Sequence, residues 1–372
     1  MKKIAHIQVI PKLSGVQMIS FDILKSLDNT YNKTIIFGSE YECSNEFIKV
    51  FEDINVKVVF VNNLKREIGI HDIKAFVELW KLFKQEKYDI VHTNSTKPGI
   101  IARIAAKMCG LKVIHTVHGI SFHKQESLLK RTFYYLIESF SNLFSDKLIT
   151  VNRLYLKYYP LVKSKKCIYN GIEFDHSIDF KKREKEKFTI GFLSRLDPQK
   201  DPITLLKAIN HLVKENNLSE EKIEVIVGGG GELEFECKQY VLENNLSKFV
   251  KFIGWVDPCE KKSFYESIDV FCLPSVFEAF GLVFLEAANY KIPSVATRVE
   301  GIPEVIVDGE TGLLVDVKNY QMLSEKLYQC YTNEILVKNL GDAAHKRAIN
   351  NFTLKKMNDQ YKNLYQEILN ES

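Results

Sequence analysis

The sequence predicts an α/β protein of two doubly wound parallel-sheet domains, and three observations carry that expectation. Its first half alternates short apolar runs with helical stretches, the pattern of β-α units on a parallel sheet. A nearly all-polar run, 176–187, then precedes a fresh strand–loop–helix series that starts at Phe188. At 372 residues the chain is long enough for two cores of ordinary size. The expected domains are 1–170 and 186–352, with 171–185 as linker.

In the first half, strands are expected at 4–10, 33–38, 56–61, 90–93, 113–117 and 147–151. Gly15 follows the first of these, where a doubly wound sheet places a ligand-approaching loop. Its surroundings, Leu13-Ser14-Gly15-Val16-Gln17, do not make a dinucleotide-binding G-x-G-x-x-G. His118 and Gly119 close the strand 113–117 at its carboxyl edge, where open α/β sheets bind ligands. A histidine there also serves to cap a strand or to bond a nearby carbonyl. His92, His115 and His123 lack that positional argument and read as structural or exposed.

The stretch 124–144 reads as a helix, with Lys124, Lys130 and Arg131 interleaved among Phe133, Tyr134, Tyr135 and Phe140. Two readings stand. The aromatics face the core of an ordinary amphipathic helix, or they form a basic-aromatic face lying on a membrane leaflet.

The second half opens with a strand from Phe188 that ends in a loop bearing Arg195 and Lys200, before a helix near Pro202. Either cation alone reads as solvated. Two beside a helix N-terminus make a pyrophosphate clamp, with charge-assisted bonds of about 1.5–3 kcal/mol each. A strand at 223–227 runs into a turn of four glycines, 228–231. The stretch 269–312 is the centre of the chain. A strand at 269–273 is followed by a loop carrying Glu278, and Phe280-Gly281 then opens a helix to about residue 290. Gly281 lets a ligand approach the backbone, and the free N–H groups of the first helical turn suit an anion. Glu286 follows Glu278 at E-x7-E spacing, about 12 Å on one helix. The two carboxylates suit distant parts of one elongated ligand; the alternative is one capping and one solvated glutamate.

Composition excludes several classes. No apolar run reaches the 18 or more residues of a membrane span. Met1-Lys2-Lys3 leads straight into a strand soon broken by Pro11, unlike a signal peptide. Seven scattered cysteines with no C-x-x-C argue for a reducing cytoplasm and against a structural zinc site. Net charge is uneven. Residues 1–170 hold 26 Lys/Arg against 15 Asp/Glu, and residues 171–372 hold 25 against 32. One half is therefore +11 and the other −7, which sum to the chain's +4. An anionic partner on the basic side is expected. No nucleic-acid recognition signature is present, so an anionic membrane surface is the favoured one.

The run P-S-x-x-E-x-F-G with E-x7-E, followed by E-G-I-P-E (300–304) and D-G-E-T-G (308–312), resembles the nucleotide-sugar site of family 4 glycosyltransferases. These are retaining enzymes of the GT-B fold. Arg195 and Lys200 are similar to the family's G-R-L-x-x-x-K-G, with Asp201 in place of the last glycine. The segment 168–173 resembles the family's domain junction, and 251–256 resembles the strand and loop near the nucleobase. Residues 351–369 resemble the terminal helix that crosses back, which adds 353–372 to the first domain. The likeness is strong over 186–316 and looser over 1–160; one glycine, Gly15, stands where family members often have two.

The resemblance implies two Rossmann-like domains facing across a cleft. Arg195 and Lys200 would neutralise the departing diphosphate, helped by the backbone at Ala279, Phe280, Gly281 and Leu282. Glu278 would hold donor-sugar hydroxyls and steady the positive charge at the anomeric carbon, and Glu286 would bind the ribose. His118, from the opposite domain, would contact the donor sugar, and Gly15 the donor phosphate or the acceptor. No cofactor and no essential metal are expected; the nucleotide sugar, UDP-hexose or UDP-N-acetylhexosamine first, is a substrate. The expected acceptor is a polyprenyl-diphosphate-linked glycan at the cytoplasmic leaflet, in capsule or O-antigen assembly. Alternatives are a GT-B-fold nucleotide-sugar epimerase, a glycoside hydrolase with two carboxylates, and a non-catalytic nucleotide-sugar-binding subunit.

Overall fold

A computed structural model of the chain describes residues 1–12, 15–40, 43–67, 69–94, 96–123, 126–175, 177–178 and 186–371, with 96–98 as backbone. Leu13 and Ser14 of the first loop, Lys124, and most of the expected linker lie outside the described residues. The chain divides into two compact units, 1–170 with 354–372, and 171–353.

In the first unit, β1 (Lys2–Ile7), β2 (Tyr31–Gly38), β3 (Val56–Val61), β4 (Ile90–Asn94), β5 (Lys112–Val117), β6 (Lys147–Thr150) and β7 (Lys165–Cys167) form one sheet. Its order is β3-β2-β1-β4-β5-β6-β7, with every pair parallel. Parallel neighbours need crossovers, and α1 (Gly15–Ser26), α2 (Asn45–Glu52), α3 (His71–Glu86), α4 (Thr96–Met108), α5 (Leu128–Asn142) and the short α6 (Arg153–Leu156) supply them. The order reverses between β1 and β4, where Ile4 pairs with Ile90; right-handed connections then put α1 and α2 on one face and α3, α4 and α5 on the other. Ala5, Ile36, Val91 and Val113 of the sheet pack on Leu79 and Phe83 of α3 and on Ala102 and Ala105 of α4, all shielded from water. Strands covered on both faces read as near-continuous Val/Ile runs, which is why they were visible in the sequence.

Two expected boundaries move. The first strand stops at Ile7 instead of residue 10, and beyond it only single bonds persist, from Gln8 N to Ile36 O (2.9 Å) and from Gly38 N to Val9 O (3.0 Å). Helix α5 starts at Leu128 because Ser127 caps it, its hydroxyl accepting from Lys130 N. Its Phe133 and Phe140 are exposed, so these aromatics do not face the core.

The second unit holds β8 (Phe188–Leu193), β9 (Ile223–Gly228), β10 (Val250–Gly254), β11 (Val270–Leu273), β12 (Ser294–Thr297) and β13 (Gly312–Val315), in the parallel order β10-β9-β8-β11-β12-β13. Its helices are α7 (Pro202–Glu215), α8 (Glu234–Glu243), α9 (Lys261–Ser267), α10 (Leu282–Asn289), α11 (Ile302–Val305), α12 (Tyr320–Thr332) and α13 (Glu334–Asn351). From the sequence, the chain beyond Gly312 reads as helical throughout, and the structure corrects that reading. Residues 312–315 are the edge strand, paired with β12 from Ser294↔Gly312 to Thr297↔Val315, and helix resumes only at Tyr320.

The chain closes with α14 (Leu354–Asn370), which belongs to the first unit. It is pinned there by polar contacts inside the core. The Tyr365 hydroxyl lies 2.8 Å from His6 Nε2 and 2.7 Å from His92 Nδ1, and His92 Nε2 lies 2.7 Å from Thr116 Oγ1. One relay satisfies all three: His6 Nε2–H donates to Tyr365, Tyr365 to His92 Nδ1, and His92 Nε2–H to Thr116. His92 is thus structural.

Candidate functional site

The carboxyl ends of β8 and β11 flank the point where the second sheet reverses order, and the loops leaving them carry most of the expected residues. From β8 the chain turns through 194–201 into α7. Arg195 is largely exposed, its guanidinium held by Asp197 Oδ2 at 3.0 Å and Gln199 Oε1 at 3.3 Å. Lys200 points inward and forms an ion pair with Glu278, both side chains mostly shielded. Gln199 ties the loop leaving β8 to the loop leaving β11, donating from Nε2 to Phe277 O (3.1 Å) and accepting at its own carbonyl from Val276 N (2.8 Å). The structure therefore brings Lys200 and Glu278, far apart in sequence, into direct contact.

The glycine run explains why the Arg195 loop can sit where it does. A Cβ on Gly229 would lie 1.8 Å from Ser194 O, and one on Gly231 would lie 2.4 Å from Leu196 O, with φ of +121° and +158°. Leu196 then exchanges backbone bonds with Gly230 (3.0 Å) and Leu233 (2.9 Å). The turn is more than a connector: only side-chain-free backbone packs under the loop that bears Arg195. Asp201, standing where the family pattern has glycine, lies in the left-handed region at φ +50°. It also caps α7, accepting from Thr204 N at 3.2 Å and Thr204 Oγ1 at 2.7 Å.

Ala279 and Phe280 are buried, and Gly281 takes φ +85° at the start of α10, where a Cβ would strike the Phe284 ring at 2.5 Å. Leu282 is the first residue of the helix, and of the opening N–H groups that of Phe284 donates to Gly281 O at 3.0 Å. Gly301 N donates to Glu278 O (3.1 Å), so the E-G-I-P segment buttresses the loop carrying Glu278. Glu286 is one turn into α10. Its carboxylate receives Lys261 Nζ at 2.7 and 2.9 Å and the Tyr265 hydroxyl at 2.9 Å. Burial, then the neighbouring Glu286, raises the Tyr265 pKa well above its usual value, so the phenol stays protonated and donates. Sequence reasoning missed Lys261 and Tyr265. Their four-residue spacing on α9 is a usable signal, but nothing in the sequence joins α9 to α10.

In the first unit, Gly15 opens α1, and an added Cβ there would meet open space. Gln8, also unanticipated, steadies that start by donating to Val16 O (3.3 Å) and Ser20 Oγ (2.7 Å). His118 stands one residue past β5, partly buried, with Nε2 3.0 Å from Asn94 Oδ1 at the end of β4. Desolvation, aided by His115, pushes its pKa down to about 3, so the ring is neutral near pH 7. Asn94 selects the Nε2–H tautomer and leaves Nδ1 as an acceptor. His115 is buried against Thr93 and Glu138 and is structural. Among the described residues, no group of three or more His, Cys, Asp or Glu side chains is placed to hold a metal ion.

The comparisons with known proteins agree with this geometry. The family model described as Glycosyl transferases group 1 matches residues 174–347, and that described as Glycosyltransferase Family 4 matches residues 13–176. The chain is 31% identical to a UDP-Gal:alpha-D-GlcNAc-diphosphoundecaprenol alpha-1,3-galactosyltransferase of Escherichia coli, over 98% of this chain and 96% of that one. It is 26% identical to the capsular polysaccharide biosynthesis glycosyltransferase CapM of Staphylococcus aureus, over 87% and 89% of the two chains. Among solved structures it is similar to Anabaena HepE in complex with UDP and glucose, at a TM-score of 0.80 and 18% identity over 99% and 100% of the chains.

Proposed function

This chain belongs to the family 4 glycosyltransferases, and we propose that it transfers a sugar from a nucleotide-diphosphate donor, with retention and without an essential metal, to a polyprenyl-diphosphate-linked glycan. The observation that carries the reading is the Lys200–Glu278 ion pair beside the start of α10. An ammonium has three donors. Lys200 can keep Glu278 and still donate to a phosphate oxygen, so one residue would couple the carboxylate at the sugar to the leaving diphosphate. Arg195 and the opening N–H groups of α10 would add to the charge stabilisation as the glycosidic C–O bond breaks. Glu278 would hold the sugar hydroxyls and offset positive charge at the anomeric carbon. Glu286 would hold the ribose with one lone pair while Lys261 and Tyr265 keep its carboxylate fixed. Neutral His118 would accept a hydrogen bond from a donor-sugar hydroxyl through Nδ1, and Gly15 would leave room for a phosphate or the acceptor.

UDP-hexose or UDP-N-acetylhexosamine is the favoured donor, in line with the uridine donor named for the Escherichia coli relative. The same relative's diphosphoundecaprenol acceptor and the capsular role of CapM support surface-polysaccharide assembly. Such an acceptor lives in a membrane. Among the described residues no helix is long and apolar enough to cross one, so the proposal is peripheral contact between the basic first half and the anionic cytoplasmic leaflet.

The test is a thermal-shift panel of UDP, GDP and dTDP with their sugars, on wild type and Glu286→Ala. A ligand at a hundred times its dissociation constant stabilises by about 2.7 kcal/mol. One nucleotide family should shift the wild type and not the variant; no shift with any of them sinks the reading. NMR of the product made with EDTA present then checks retention and metal independence together.

A further inference from the structure

Helix α5 is folded with its polar side in. Glu138, Ser141 and Asn142 are buried, and Glu138 Oε1 lies 3.2 Å from Arg103 Nη2, on a guanidinium wholly shielded from water. Arg103 also donates to Asn142 and, from Nε, to Gly99 O at 2.9 Å. The outward side carries Leu129, Phe133, Leu136, Phe140 and Leu143, between 55% and 87% exposed. Their spacing of four, three, four and three keeps them on one stripe of about 21 Å. The helix cannot roll to bury that stripe, because rolling would strand Arg103 and Glu138 in the core without each other. The ion pair holds an apolar ridge in solvent.

We propose that this ridge is the surface by which the protein lies on a bilayer rich in anionic lipid, a proposal that rests on the membrane-linked acceptor reading above and names the contact. The charge of the stretch that contains it, and of its own amino end, decides the occupant. Residues 118–170 hold nine Lys/Arg against three Asp/Glu, a net +6. Of those three acids, Glu138 is buried, Asp146 is paired with Lys107 at 2.6 Å, and Glu126, before the helix, lies 3.9 Å from Lys130. Lys130 and Arg131 stand at the amino end of the stripe, and α5 has no exposed acidic residue. A second copy of the helix would therefore bring Lys130 and Arg131 together with only Glu126, already beside its own Lys130, to meet them. An anionic headgroup layer over acyl chains complements both the charge and the apolar ridge. At the same end of the helical layer, α3 and the residue before it expose Ile70 and Ile73.

Flotation of the full-length protein with phosphatidylglycerol–phosphatidylcholine vesicles and with pure phosphatidylcholine vesicles tests this. Wild type should float with the anionic vesicles at low salt and release as salt rises. Phe133→Ser, Leu136→Ser and Phe140→Ser together should cut the bound fraction by about tenfold or more, and Lys130→Glu with Arg131→Glu should weaken it on anionic vesicles. Because all these side chains are outside the core, the UDP thermal shift should survive in every variant. Wild type that ignores anionic vesicles, or a serine variant that floats as well as wild type, overturns the proposal. So does a wild-type dimer, seen by size exclusion, that the serine variant makes monomeric while neither form binds vesicles. A retained nucleotide shift beside failed flotation removes the docking surface alone; loss of both removes the glycosyltransferase reading as well.

Discussion

Lys200 is paired with Glu278, four residues before α10 begins, and on the proposed reading the same ammonium would also meet the donor diphosphate. Replacing it by alanine should lower kcat by about 10²–10³, the range for loss of one preorganised electrostatic group, with the circular dichroism spectrum unchanged. A variant that kept wild-type kcat would take Lys200 out of the chemistry. Asp201 separates two jobs that fall on one position. Its left-handed φ of +50° favours glycine, while its carboxylate caps α7. Asp201→Gly should change stability by no more than about 0.5 kcal/mol, since glycine is itself a tolerable cap and fits that φ. Asp201→Ala loses both features and should cost about 1–3 kcal/mol. Urea unfolding of the pair checks this, and equal costs would mean that the backbone strain is not felt.

At the scale of elements, the contact of α14 with β1, β4 and β5 depends on histidines kept uncharged. Burial, helped by His118, holds His6 down to about 3; His115, packed against Glu138 of α5 instead of α14, is likewise held to about 4 by burial, helped by Arg103. Burial, with His6 next, keeps His92 well below the usual range. In the unfolded chain each titrates near 6.5. Below that pH the unfolded chain binds more protons than the folded one. The contribution of these groups to stability is therefore complete above about pH 6.5 and is lost as pH falls toward the folded pKa values. The slope is up to about 1.4 kcal/mol per pH unit for each histidine. Urea midpoints at pH 7 and pH 5, a window largely above carboxylate titration, should differ in favour of pH 7. An unchanged midpoint would mean that the histidines are already charged in the fold. Element boundaries depended on local chemistry of different legibility. The Ser127 cap is written in the sequence, whereas β12 and β13, four residues each, are too short to show a period and exist because β11 offers an edge to β12 and β12 in turn to β13.

For the whole molecule, two units with separate sheets and cores should unfold in separable steps. Arg195, Lys200, Glu278 and Glu286 all belong to the unit 171–353. Saturating UDP at a hundred times its dissociation constant should raise one calorimetric transition by the equivalent of about 2.7 kcal/mol and leave the other in place. Both transitions moving together would assign donor contacts to the first unit too.

The sequence by itself determined the class of fold, the position of most strands along the chain and the family, because strand runs, loop glycines and the E-x7-E spacing are local patterns that survive without coordinates. It also placed Arg195, Lys200, Glu278, Gly281 and Glu286 on the loops and helix that the structure assigns to them. Tertiary structure alone decided which of these touch. Lys200 meets Glu278 only because β8 and β11 are neighbours in the sheet, and Lys261 reaches Glu286 only because α9 packs beside α10. It decided the outward turn of Phe133 and Phe140 as well. Hydrophobicity along α5 offers an apolar stripe to either side, and a buried arginine on another helix selects the side that stays wet. Periodicity fixes which residues share a face; only the charge waiting in the core fixes which face goes in.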